Sequence, residues 1–113
     1  MQIKEFISKF KEAPKEVSKS RIIKVIDGLL VKFGLEYQLS IIVEEPAELI
    51  QAVSKVRRNG IDNINNRYNL IEELGDVSII IEEIKRLYNI SDEDINKAIN
   101  VKLANAESIL NED

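Results

Sequence analysis

Four carboxylates stand in two pairs at three-residue spacing, Glu45 with Glu48 and Glu73 with Asp76. On a helix this spacing places both members of a pair on one flank. A helical wheel puts Glu45 at the edge of an apolar arc and Glu48 beside it, next to Ile41 and Ala52. On the second stretch Glu73 falls inside the arc, between Ile80 and Ile84, and Asp76 sits at its border beside Leu87. None of the four has a Lys or Arg three or four residues to either side, whereas Glu82 has Lys85 and Arg86 at those spacings. In a chain with 20 acidic residues most Glu pairs are solvated helix surface; apolar neighbours and missing partners set these apart. Ionised carboxylates turned toward a core unpaired are costly, or take up a proton instead. Two pairs converging from packed helices would offer a cation an all-oxygen set, which suits Mg²⁺ first and Mn²⁺ second.

The rest of the composition narrows the chemistry. The 113 residues include no His and no Cys, which removes imidazole and thiolate nucleophiles, a Ser-His-Asp triad and Cys/His zinc sites. A di-iron carboxylate bundle falls with them, because it needs a Glu-x-x-His on two helices. An EF-hand is excluded by the absence of an Asp-x-Asp-x-Asp-Gly loop. With 16 Lys and Arg against 20 Asp and Glu, the net charge of -4 argues against nucleic acid as a partner. The longest apolar runs, such as Ile79-Ile80-Ile81, are far short of a membrane span, and Met1-Gln2-Ile3-Lys4-Glu5 lacks the apolar core of a signal peptide. The expectation is a cytoplasmic protein with no membrane contact.

The elements that must position these groups are helices. Apolar residues recur at three and four almost throughout, and no alternating strand pattern appears. A short amphipathic helix is expected over Ile3 to Glu12, ending at Ala13-Pro14, with the first 15 residues peripheral or mobile. A second runs from about Ser20 to Phe33 and stops at Gly34; a long third spans Leu35 to Arg58 and ends in Arg57-Arg58-Asn59-Gly60. After a polar stretch, Asp62 to Asn66, a fourth covers Arg67 to Tyr88, and a fifth, capped by Ser91, covers Asp92 to Leu110. The fold class is all-α, one domain over residues 1–113, a bundle of four main helices with a short extra N-terminal helix. The arc expected to face the core on the long helix is Leu39, Ile42, Val43, Leu49, Ile50, Val53 and Val56. On the last helix Lys102 lies inside the arc of Ile95, Ile99 and Leu103, with Asn105 at its margin. Such a Lys is either a stem lying along a bundle seam or a phosphate contact.

Glu44-Glu45-Pro46-Ala47-Glu48-Leu49 followed by Glu73-Leu74-Gly75-Asp76 resembles the EExxE…ExxD signature of the MazG-like, all-α nucleoside triphosphate pyrophosphohydrolases. The resemblance covers about Val31 to Asn105. It implies a MazG-like fold, and Mg²⁺-dependent hydrolysis of a nucleoside triphosphate to monophosphate and pyrophosphate. It makes Glu45, Glu48, Glu73 and Asp76 the metal ligands, the same four that the wheel selects, and Lys102 and Asn105 the substrate contacts. Glu44 and Glu72 match motif positions or neighbours that the wheel sends outward, which leaves them at most a supporting role behind the ligands. It also implies a homo-oligomer, dimer or tetramer.

Pro46 departs from the motif, since a Pro inside a helix removes a hydrogen bond to the carbonyl of Ile42. Because Leu39, Ile42 and Val43 stay in phase with Leu49, Ile50 and Val53, the expectation is a bent but continuous helix rather than one starting at Pro46. In hydrolysis, Glu45 or Glu48 is the candidate to take the proton of the attacking water. Phe33, Tyr37 and Tyr68 are candidates for stacking on a base, and equally for packing. A catalytically silent partner module, or a hydrolase of another pyrophosphate-containing small molecule, would keep the same carboxylates.

Overall fold

Each helix boundary has a local cause. In the computed structural model, which describes residues 1–112, α1 (Ile3–Glu12) ends where Ala13, the residue before Pro14, turns extended. Ser18 opens α2 (Lys19–Phe33) by accepting the N–H of Arg21 at 3.3 Å. Gly34, at φ 88°, both ends α2 and begins α3 (Leu35–Asn59); a side chain there would be strained. A second left-handed glycine, Gly60, closes α3.

The helix α4 (Ile64–Leu87) begins three residues before the expected Arg67. The cause is Asn63, whose side-chain oxygen accepts the N–H of Asn66 at 3.1 Å and caps the first turn inside the polar stretch. At the other end Asn89 adopts φ 53° and the N–H of Ile90 reaches back to the Lys85 carbonyl, a Schellman-type stop built on Asn instead of Gly. Ser91 then caps α5 (Asp92–Leu110), with Asp92, Glu93 and Asp94 in its positive first turn. The described residues form these five helices and no strand, so the fold is all-α.

The chain divides into two compact units, Met1–Glu83 and the residues from Ile84 onward. In the first, Ile26 of α2, Ala52 of α3 and Ile80 of α4 are the fully buried apolar side chains. Phe10 packs edge-on against Tyr68 at 5.4 Å, tying α1 to the start of α4, and Phe33 stacks on Tyr37 at 4.9 Å across Gly34. The second unit holds the end of α4, an ion pair between Lys85 and Asp92, and α5, on which no residue is fully buried.

The expected apolar arc of α3 is only partly covered. Leu39, Ile42, Leu49 and Val56 are half-buried, but Val43 is 73% and Ile50 67% exposed, and Val53 is exposed as well. The fully buried positions of α3 are instead Gln38 and Ala52, two turns either side of Glu45. The wheel averaged over two faces, one closed inside the chain and one left open.

Candidate metal centre

Glu45 and Glu48 lie in the middle of α3, and Glu73 and Asp76 in the middle of α4. The i, i+3 step keeps each pair on one side of its helix, and packing α3 against α4 brings the pairs together. One carboxylate oxygen from each of the four lies within 4.8 Å of the others. Pro46, despite its position between the two carboxylates of α3, does not interrupt that helix, so Glu45 and Glu48 keep their common flank. The carbonyl of Ile42 gives up one helical bond for this.

The cluster is joined in two rungs. Glu45 donates a carboxyl hydrogen bond to Asp76, and Glu73 donates one to Glu48. These pairings make α3 and α4 antiparallel here. Burial is the main force on the protons: it raises Glu45 to about 7, helped by the negative charges of Asp76 and Glu48. Glu73, only 7% exposed, is likewise raised to about 7 by burial and then by Glu48 and Asp76. Asp76 is raised by burial, against the hydrogen bond it accepts from Glu45.

Even with these bonds, one oxygen of Glu45 and one of Glu73 are buried with no partner. Buried acceptors of this kind are normally satisfied. Two residues with orphan oxygens in a four-carboxylate cluster, with no nitrogen or sulfur donor, match the needs of a hard divalent cation. An octahedral Mg²⁺ holds opposite oxygens about 4.2 Å apart, twice its bond length, so small side-chain rotations close the 4.8 Å span.

The neighbouring candidates separate. Glu44 is exposed, as the wheel placed it. Glu72 is half-buried, and burial together with the Asp76 charge raises it, so it feels the centre more than an outward position would. Lys102 and Asn105 are exposed on α5, in the second unit. Tyr68 is taken up by Phe10, and Phe33 and Tyr37 by each other.

Two polar residues of this region fall outside the three-residue motif. Gln38, 2% exposed, precedes Glu45 by two helical turns, and Glu83, 4% exposed, follows Asp76 by two turns. Burial raises the Glu83 carboxyl. Their signal in the sequence is the seven-residue step, which carries a helix face almost back onto itself. Comparison of the chain with family models, with curated proteins and with solved structures returns no match.

Proposed function

We propose that the protein is a Mg²⁺-dependent nucleoside triphosphate pyrophosphohydrolase of the MazG-like kind, cleaving the bond between the α- and β-phosphates to give a monophosphate and pyrophosphate. The observation that supports this most is the meeting of Glu45, Glu48, Glu73 and Asp76 within 4.8 Å, at the spacing of the EExxE…ExxD signature. Bound Mg²⁺, with Mn²⁺ as a substitute, would neutralise phosphate charge and acidify a water molecule.

The chain's own residues do the rest. Glu45 and Glu73 exchange their protons for the cation, since pKa values of about 7 let both ionise at neutral pH. Glu48 and Asp76 complete the ligand set from the opposite helix of each rung. A carboxylate oxygen of Glu45 or Glu48 not engaged by the cation takes the proton of the attacking water, while the pyrophosphate leaves with the electron pair of the broken P–O bond. Glu72, which feels the Asp76 charge, has at most a supporting role behind the ligands, and Glu44 stays outside. Lys102 and Asn105 keep the phosphate-contact role that the resemblance implies, for which Lys102→Ala should raise KM more than it lowers kcat.

We also propose a homo-oligomer, dimer or tetramer. Val43, Ile50 and Val53 leave an apolar stripe open along α3, beyond the scattered exposure ordinary for a surface. Val43→Glu combined with Ile50→Glu should lower the mass measured by light scattering to that of one chain; an unchanged mass would remove that stripe from the interface.

The deciding experiment is pyrophosphate release from a panel of ribo- and deoxynucleoside triphosphates, with Mg²⁺ and with chelator, identifying each nucleotide product. Monophosphate and pyrophosphate appearing only with metal supports the reading. Diphosphate and phosphate keeps the metal but moves the bond, and no turnover of any triphosphate overturns it.

A further inference from the structure

We infer that the groove running from the Glu45–Asp76 rung to Gln38 and Glu83 seats the nucleoside end of the substrate, and that Gln38 binds it there. This rests on the reading of the rungs as a triphosphate-cleaving centre, and adds to it which part of the substrate lies on which side. The antiparallel rungs set the register. Gln38 lies two turns from Glu45 toward one end of α3, and Glu83 lies two turns from Asp76 in the same direction along the pair. The two therefore stand level with one another, about 10 Å along the helices from that rung at 1.5 Å per residue.

A groove open to the surface joins the two levels. Glu45 and Asp76 bound it at one end and Gln38 and Glu83 at the other, with Leu29, Ile41 and Ile79 of α2, α3 and α4 along its walls. No Lys or Arg is among the described residues that line it, and the one ionisable group at its far end is an acid. The centre thus has two sides. At the rungs a cation can hold phosphate oxygens. Along the groove an anionic chain would meet apolar side chains and a carboxyl, with nothing to offset its lost hydration. Apolar walls with a few convergent polar groups are the usual lining of a ligand site, and the uncharged part of a nucleoside triphosphate is its nucleoside.

Gln38 supplies the contact. It is 2% exposed, yet its side-chain nitrogen finds no acceptor among the described residues. A buried donor left unsatisfied destabilises the fold, and the buried apolar core of Ile26, Ala52 and Ile80 is made without one. An uncharged oxygen of the bound nucleoside, a sugar hydroxyl or a base carbonyl, gives this donor its acceptor. Every ribo- and deoxynucleoside offers at least one such oxygen. The contact therefore sets a nucleoside triphosphate apart from a bare polyphosphate, and not one base from another.

The test is calorimetric binding, with Mg²⁺, on the full chain and on Gln38→Leu. The probes are inorganic tripolyphosphate and the α,β-methylene analogues of ribose 5-triphosphate and of adenosine, guanosine, cytidine and uridine triphosphate. The tightest nucleoside analogue should bind about tenfold tighter than tripolyphosphate, and Gln38→Leu should remove that margin while leaving tripolyphosphate unchanged. A parallel loss for the ribose analogue places the acceptor on the sugar; a loss confined to the nucleoside analogues places it on the base. Leu keeps the bulk and removes the orphan donor, so the variant is expected to fold. If it does not, the side-chain amide NMR signal of Gln38 in the wild-type chain should shift with the nucleoside analogue and not with tripolyphosphate. Tripolyphosphate binding as tightly as every nucleoside analogue, an affinity untouched by Gln38→Leu, or an amide signal that stays in place overturns the groove. Pyrophosphate release from the natural triphosphates separates this inference from the reading beneath it. Gln38-dependent binding without release rejects the hydrolytic centre and keeps the groove. Metal-dependent release with a KM unchanged in Gln38→Leu keeps the centre and rejects the groove, and no binding of any probe overturns both.

Discussion

Glu5 and Glu45 are the same residue type in opposite settings. Glu5 lies on the surface of α1, paired with Lys9 one turn on at 3.0 Å, and that partner lowers its pKa through a hydrogen bond and charge. Glu45 lies between α3 and α4, where burial and three other carboxylates raise it to about 7. The surface pair is arranged for the folded chain alone. The rungs hold four acidic groups together at the chain's own expense, a cost that the proposed cation would relieve.

The largest effect expected from this contrast is on turnover. Glu48→Ala or Asp76→Ala removes a proposed ligand, and Mg²⁺-dependent pyrophosphate release should fall by more than about a hundredfold, beyond the loss typical of a supporting partner. The same variants should melt at or above the wild-type temperature, because each relieves repulsion within the cluster. A variant that keeps wild-type release would take its residue out of the centre.

Next in size is the response of stability to pH and metal. A carboxyl whose folded pKa stands above its unfolded value holds its proton more tightly in the fold. Its contribution is complete below the unfolded value of 4.5 and is lost as pH rises through the folded value of about 7. Metal-free protein should therefore melt at lower temperature at pH 8 than at pH 5. Added Mg²⁺ should reverse that loss at pH 8, by about 2.7 kcal/mol at a hundred times its Kd, and do little at pH 5, where Glu45 and Glu73 keep their protons. A pH profile that Mg²⁺ leaves unaltered would mean the rungs hold no cation.

Glu73→Gln, or Glu45→Gln, sharpens the same contrast with a smaller change. Each keeps the shape and hydrogen-bonding reach of the side chain while removing its ionisation. At pH 8 without metal the variant should be more stable than wild type by about 1–2 kcal/mol, and its profile between pH 5 and 8 should be flatter. Chemical denaturation at the two pH values measures both.

How much of this was legible in the sequence follows from which forces are local. The stops at Pro14, Gly34 and Gly60 and the cap at Ser91 are set within a few residues, and the expected helix ends there agree with the structure to within one or two. The start of α4 lies three residues before the expected Arg67 because the polar stretch is itself the helix entry, with the Asn63 side chain as its cap. The four carboxylates could be singled out because three-residue spacing and absent partners are properties of one helix at a time. Which side of α3 is covered is not such a property. Val43 and Ile50 belong to the wheel's apolar arc, but the neighbouring helices close over Gln38 and Ala52. For the same reason Gln38 and Glu83 could not be recognised as opposed. Their register depends on α3 and α4 meeting at the rungs, which no single helix records.

The smallest effect belongs to the surface pair, and its sign distinguishes it from the rungs. Lys9→Ala removes the partner that lowers Glu5, but an exposed i, i+4 ion pair is screened by water and contributes little. The melting temperature at pH 8 should not move measurably, and Mg²⁺-dependent release should be that of wild type. What little changes should appear in acid. A carboxylate with a lowered pKa adds stability that is present above its unfolded value of 4.5 and lost as pH falls through the folded one. Lys9→Ala should thus narrow the acid end of the profile's fall, whereas Glu45→Gln and Glu73→Gln act between pH 5 and 8. A loss of metal-dependent stability on Lys9→Ala would show that α1 is coupled to the rungs, and the division between a surface pair serving the fold and a buried cluster serving a cation would then fail.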